Sequence, residues 1–182
     1  RDRCGHRPTL TDFLVRAMAL ALRECPPANR IWQQGTIAEL QSVDVGLVVK
    51  VRDGLMVPVI HGADRLGLVE LVRRRAELVA AVQAGRLPAE AFQGGATSLS
   101  NLGRHRVDQF AAIISPPQSS MLAVGRVALR PAEHEGRLCL RQTLHLTLAL
   151  ISKFFILMHR NIFLDRITRL LENPFLLLCE AV

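Results

Sequence analysis

Two alternating runs joined by a turn constrain this chain most. Val43, Val45, Leu47, Val49 and Val51 alternate with Asp44, Gly46, Val48 and Lys50, and Arg52-Asp53-Gly54 leads into a second apolar run, Leu55 to Ile60. A period of two puts successive side chains on opposite faces of a strand, and a Gly-containing turn between two such runs predicts a hairpin. The flanking segments have a different period. Leu10, Phe13, Leu14, Ala17, Met18, Ala21 and Leu22 recur at helical spacing, with Thr9 or Thr11 as N-cap and Pro26-Pro27 as the stop. Leu68, Val69, Val72, Ala76, Val79 and Val82 define a second amphipathic helix, closed by Gly85 and Pro88.

Beyond the Gly94-Gly95 break, short strands are expected at Thr97 to Asn101, Phe110 to Ile114 and Ser120 to Leu129. A charged turn, Glu133 to Gly136, leads to a long strand with Leu138, Leu140, Leu144, Leu146, Leu148 and Leu150 on one face and His145 on the other. A last helix near Ile162 to Leu171 stops at Asn173-Pro174, before an apolar tail, Phe175 to Leu178. Runs of strands with helices to one side predict an α+β domain with a mixed sheet.

At 182 residues, 49% of them hydrophobic, the chain is the size of one domain with its own core. No apolar run reaches the length of a membrane span, and the N-terminus shows no signal-peptide pattern. Cys4, Cys25, Cys139 and Cys179 lack C-x-x-C spacing, so free thiols are expected rather than disulfides or a metal site, and Cys4 with His6 makes only a thin metal pair. The net charge of +7 comes almost wholly from arginines mixed with acids and without aromatic interleaving. That pattern reads as a solvated basic surface rather than a nucleic-acid interface.

The stretch Phe92-Gln93-Gly94-Gly95-Ala96-Thr97-Ser98-Leu99-Ser100-Asn101-Leu102-Gly103, continued by Ile114-Ser115-Pro116-Pro117-Gln118 and Leu122-Ala123-Val124-Gly125, resembles the core signature of the dihydrolipoyl acyltransferases of 2-oxo acid dehydrogenase complexes. Thr11 to Ala17 resembles the family's opening helix, Pro26 to Trp32 its helix exit, Asp53 to Ile60 its central hairpin, and Leu170-Leu171-Glu172-Asn173-Pro174 its C-terminal end. The resemblance spans residues 1–182 as a single catalytic-domain-like unit that lacks the family's first helix and strand.

This resemblance implies a chloramphenicol acetyltransferase-like fold and a homotrimer that builds a larger hollow core; the apolar tail reads equally as an anchor between trimers or as a segment folded back on its own domain. The substrates it implies are coenzyme A and the lipoyl arm of a lipoyl domain, with no covalently bound cofactor. Acyl exchange between thiols needs a base, because a thiol with a pKa of about 8.5 is mostly protonated at neutral pH. It also needs a donor aimed at the oxyanion. In the family a histidine supplies the first and a serine or threonine hydroxyl the second, from neighbouring subunits.

Ser100 falls on the oxyanion-donor position. The base motif, His-x-x-x-Asp-Gly, is not present where it is expected. Counting back from Asn173-Pro174 without a gap puts Ser152 at the histidine, Lys153 at the following arginine, Ile156 at the aspartate and Leu157 at the glycine. The expectation is an acyltransferase domain with activity lost or severely reduced. Two alternatives stand beside it. One is a non-catalytic core component, since the family includes subunits with serine at the histidine position that recruit the dihydrolipoamide dehydrogenase. The other is an active enzyme with a rearranged base. For that role His159 lies seven residues past Ser152, and His145 about seven before it on the strand. His61 and His105 read as surface or substrate-side residues. Ile151 to Phe163 holds three of the seven Phe and one of the two Lys, which suggests a replaced block. The composition and the family's usual setting point to a bacterial cytoplasm, with the mitochondrial matrix as the alternative.

Overall fold

The computed structural model describes residues 6–153 and 157–179. Its elements are α1 (Leu10–Glu24), β1 (Arg30–Gln33), β2 (Thr36–Glu39), β3 (Val45–Leu47), β4 (Val49–Val51), β5 (Gly54–Met56), β6 (Val59–Ile60), α2 (Leu68–Gln83), β7 (Thr97–Asn101), β8 (Ser120–Val124), β9 (Ala128–His134), β10 (Arg137–Thr143), β11 (Leu146–Leu150), α3 (Leu157–Glu172) and α4 (Leu176–Cys179). The main sheet has the order β11-β8-β7-β3-β6, parallel at β3-β7 and β7-β8 and antiparallel at both edges. The expected mixed sheet with helices is therefore the architecture found.

Helix α1 is the centre of the core. Thr9 caps it, and Asp12 returns the bond, accepting from the Thr9 backbone N–H at 2.7 Å and from its hydroxyl at 2.7 Å. The other Asp12 oxygen accepts from Arg75 Nε of α2 at 2.6 Å, so this fully buried carboxylate is paired as well as hydrogen-bonded. Leu14, Met18, Leu20 and Leu22 of α1 pack with Val45, Leu47, Leu99, Leu122 and Val124 of the sheet and with Phe163, Ile167 and Leu170 of α3. Alternation then assigns the sheet's faces. Thr97, Leu99 and Asn101 look toward the helices, with Asn101 Nδ2 donating to Thr11 Oγ1 of α1 at 3.1 Å. Ser98 and Ser100 look the other way, on the same face as Gly46, Ala123 and Thr147.

Three expectations are corrected. No strand forms at Phe110 to Ile114, where the chain is an irregular loop. The strand expected from Ser120 to Leu129 stops at Val124 and restarts at Ala128, and the one expected from Leu138 to Leu150 is interrupted at Leu144-His145. Both breaks have one cause: β8-β9 and β10-β11 are the arms of a long hairpin that bends at Gly125. The Gly125 N–H donates to His145 O at 3.1 Å, and its bare Cα lies against the Asp108 carbonyl, where a Cβ would come within 1.9 Å. Beyond the bend the ribbon projects away from the core, so Leu138 and Leu140 are exposed, at 82% and 68%.

The structure also adds a hairpin that the sequence periodicity did not show. β1 and β2 pair across Gln34-Gly35, both at positive φ. An X-Gly pair between Ile31-Trp32 and Thr36-Ile37 is a two-residue turn signal of the kind that makes such hairpins. The hairpin expected from Val43 to Ile60 does form, but in two pieces, β4-β5 at its tip and β3-β6 at its base. Helix α3 begins at Leu157, five residues before the expected start. In the tail, Leu177 is buried while Phe175 and Leu178 are exposed.

Candidate functional site

Strand β7 places Ser100. Its neighbours in the strand are locked by a run of buried hydroxyl bonds: Ser98 Oγ donates to Gln118 Oε1 at 2.6 Å, Ser120 Oγ to Thr97 Oγ1 at 2.9 Å, and Ser119 Oγ to Ala96 O at 3.2 Å. Gly46 makes room for this layer, since a Cβ there would sit 2.2 Å from Ser98 Oγ. Past Ser100 the chain turns at once. Asn101 Oδ1 accepts from the Gly103 N–H at 2.7 Å, and the Leu102 N–H donates to Val124 O at 3.0 Å. Ser100 is half-buried, and its hydroxyl has no hydrogen-bond partner among the described residues. A fixed backbone thus presents a hydroxyl that is free to donate to a ligand.

Ser152 sits in the turn after β11. The Ile151 N–H donates to Ser119 O at 2.9 Å, and Ser152 and Lys153 then emerge exposed. Beside them is an apolar pocket of about 250 Å3 lined by Trp32, Pro116, Pro117, Gln118, Ile151 and Lys153. The Lys153 ammonium lies 5.6 Å from the centre of the Trp32 ring, a cation–π contact. The Trp32 N–H donates to Pro117 O at 3.0 Å, tying the first hairpin to this wall. Ile156 lies outside the described residues, as do the side chains of Leu157 and His159.

The structure does not bring Ser100 and Ser152 together within one chain. Ser100 pairs with Ala123, and Ala123 with Thr147. Ser152 lies five residues beyond Thr147 and two strands across from Ser100. At about 3.3 Å per residue and 4.8 Å per strand the two are roughly 15–20 Å apart. His145 is in the bend, at the end of β11 opposite to Ser152, and exposed. His105 is exposed in the turn after Ser100, its N–H donating to Leu102 O at 2.8 Å. Neither is placed to serve Ser152.

His61 is exposed, as expected of a surface residue, but its ring is also held by a partner. Its Nδ1 lies 3.1 Å from Asp44 Oδ2, while Asp44 Oδ1 accepts from Ser42 Oγ at 2.6 Å and the Gly62 N–H at 2.8 Å. Burial pushes the Asp44 carboxyl up, but the bonds from Ser42, Gly62 and His61 outweigh it and hold the group below the usual range. Sequence periodicity gives no sign of this pairing, because Asp44 and His61 come together only when β3 pairs with β6. Among the described residues no cluster of three or more His, Cys, Asp or Glu side chains forms a metal site, and neither Cys25 nor Cys139 is in a disulfide. No helix among them is long and apolar enough to cross a membrane.

The family model for the 2-oxoacid dehydrogenases acyltransferase (catalytic domain) matches residues 1–179. The chain belongs to this family. It is 32% identical over 172 residues to the dihydrolipoyllysine-residue acetyltransferase component of the pyruvate dehydrogenase complex of Rickettsia felis, covering 94% of this chain and 42% of that protein. It is 35% identical over 173 residues to the mitochondrial pyruvate dehydrogenase protein X component of Mus musculus, covering 91% of this chain and 34% of that protein. The chain thus spans about two-fifths or less of these curated relatives. The solved dihydrolipoamide acetyltransferase of Azotobacter vinelandii superposes with a TM-score of 0.90 at 27% identity, covering 97% of this chain and 74% of that one. Chloramphenicol acetyltransferase, at a TM-score of 0.57 and 13% identity, shares the fold.

Proposed function

We propose that this acyltransferase-family domain keeps the fold and the oxyanion donor for passing an acyl group from dihydrolipoamide to coenzyme A, but lacks the base that makes the attacking thiolate. One spacing carries the reading. In the Azotobacter vinelandii enzyme the catalytic mechanism has been investigated at a serine, a histidine fifty-two residues after it and an asparagine four residues after that. Ser100 and Ser152 are also fifty-two apart, and Ser152 and Ile156 four apart. The equal spacing supports reading Ser100 as the oxyanion donor, and Ser152 and Ile156 as the positions at which the family has polar groups that take and orient a proton.

The chemistry follows from those side chains. Acyl transfer between thiols requires that the acceptor lose its proton as it attacks the thioester carbonyl. A serine hydroxyl does not take a proton near pH 7, and isoleucine cannot orient an imidazole. Loss of a general base costs about 10²- to 10⁴-fold in rate. Ser100 still offers a hydroxyl to the oxyanion. Its separation from Ser152 supports a site shared between copies, in which Ser100 of one chain meets the turn after β11 of another. A homotrimer, and a larger core built through the exposed Phe175 and Leu178, is the assembly proposed, with the lipoyl domain as donor partner. The compartment proposed is the bacterial cytoplasm, and second the mitochondrial matrix.

The test is transfer from acyl-dihydrolipoamide to coenzyme A by this chain and by one carrying Ser152→His, Ile156→Asp and Leu157→Gly. A silent parent and an active triple variant support the reading. A parent as active as the variant overturns it and makes His159 the first residue to mutate. The match to a protein X component favours a second reading, a non-catalytic core subunit. That role predicts that the chain co-assembles with an intact acyltransferase, measurable by mass after co-expression.

A further inference from the structure

At the other edge of the sheet from Ser152, an open-sided cleft of about 390 Å3 lies between β6, α2 and the short 3-10 turn at Ala89–Phe92. Its size is that of a small-molecule site. Val59, Leu78, Ala81 and Leu87 form apolar walls, and His61, Arg74, Glu77 and Glu90 bring polar groups to it. Neither Ser100 nor Ser152 lines it.

The imidazole at this cleft is held deliberately by its surroundings. Asp44 is ionised and can only accept, so the proton between Asp44 and His61 sits on His61 Nδ1. Nε2 is then the nitrogen left for a ligand, and in the neutral ring it is an acceptor. Gly94 leaves room for this arrangement, since a Cβ there would lie 3.2 Å from Asp44 Oδ2 and 3.5 Å from His61 Cε1. Three bonds to Asp44 therefore orient a ring whose side chain remains 48% exposed. Core packing alone does not call for that.

The charges select the ligand. Glu77 and Glu90 line the cleft and Asp44 stands behind His61, against Arg74 on the wall and Arg73, which binds Glu77 at 2.7 Å. Glu90 has no ion-pair partner among the described residues. In a chain of net charge +7, this cleft carries an excess of carboxylate. The acceptors it leaves open, His61 Nε2 and the Glu90 carboxylate, suit a head group rich in N–H donors, and its walls suit a short alkyl chain.

We propose that the Asp44–His61 cleft binds a primary amine carried on a short apolar chain, as a free alkylamine or as a lysine side chain. The amine donates to His61 Nε2 and Glu90 while its methylenes lie against Val59, Leu78 and Leu87.

Calorimetric titration of the full chain at pH 7.5 with hexylammonium, hexanoate and a blocked lysine, Nα-acetyl-lysine N-methylamide, tests this. The expected result is binding of hexylammonium or blocked lysine with hexanoate at least about ten-fold weaker, the scale of one charge-assisted hydrogen bond. The tighter of the two amines identifies the source. His61→Ala and Glu90→Gln each weaken the amine by about ten-fold, again the scale of one such bond, with the circular dichroism spectrum unchanged. Hexanoate binding as tightly as the amine, amine binding unaffected by both variants, or no binding at millimolar concentration overturns the proposal.

Discussion

Under the proposed function strand β7 and the turn after β11 cooperate in acyl transfer, yet they are built in opposite ways. Around Ser100, each neighbouring side chain has an assigned place: Leu99 in the core, Ser98 on Gln118, Asn101 on Thr11. Around Ser152, one backbone bond from Ile151 and one cation–π contact from Lys153 hold a solvent-facing turn. A residue at the first place is fixed by packing whether or not it reacts. At the second place packing demands no particular side chain, so its residues can change while the fold remains.

The sharpest way to break this comparison is to restore the second region. Ser152→His with Ile156→Asp and Leu157→Gly is expected to raise the transfer rate by about 10²- to 10⁴-fold, the usual contribution of a general base, measured as thioester formation on coenzyme A. No gain would count against the proposed loss of a base at Ser152. In that restored chain, Ser100→Ala is expected to lower kcat by about 10²- to 10³-fold with little change in KM, the effect of removing one oxyanion donor.

Stability should show the same asymmetry. Gly125→Ala drives a Cβ into the Asp108 carbonyl, a backbone atom that cannot swing aside, and is expected to cost about 2–4 kcal/mol in urea unfolding. Ser98→Ala leaves Gln118 Oε1 buried without its donor and is expected to cost about 1–3 kcal/mol, whereas Ser152→Ala should stay within about 0.5 kcal/mol. Equal effects of the two serines would end the contrast drawn here.

The smallest effect concerns Asp108, where hydrogen bonds from Arg126 and Arg130 lower the carboxyl pKa to about 2. A depressed carboxyl pKa stabilises the fold above its ordinary value near 3.8 and loses that contribution as pH falls toward 2. Carbon-detected NMR titration of Arg126→Gln with Arg130→Gln should move the midpoint up toward the ordinary value, with little change in stability at pH 7, because the group is exposed.

Local period and turn chemistry made most of the elements legible. Helix α1 announced itself through Leu10 to Leu22, a cap at Thr9 or Thr11 and its stop at Pro26-Pro27, and the hairpin around Asp53-Gly54 through strict alternation. The failures share a physical reason. The leucines from Leu138 to Leu150 keep one alternation across a bend imposed from elsewhere, by Gly125 against Asp108, so periodicity continues where the strand does not. The β1-β2 hairpin is short, and its Gln34-Gly35 turn is a weaker signal than Asp-Gly. The proposed roles of Ser100 and Ser152 rest on resemblance in several ordered blocks, which no periodicity supplies. Asp44–His61 and Trp32–Lys153 escaped because each pair joins residues far apart in sequence.

Asp12 has a further consequence for how this molecule opens. One carboxylate both starts α1, through Thr9, and grips Arg75 in the middle of α2. A transient fraying of the first turn of α1 would strand a buried charge on its neighbour, so the end of that helix cannot loosen alone. The two helices are thereby yoked into one cooperative unit, and the local motions ordinarily available to a helix terminus are here charged to the whole core.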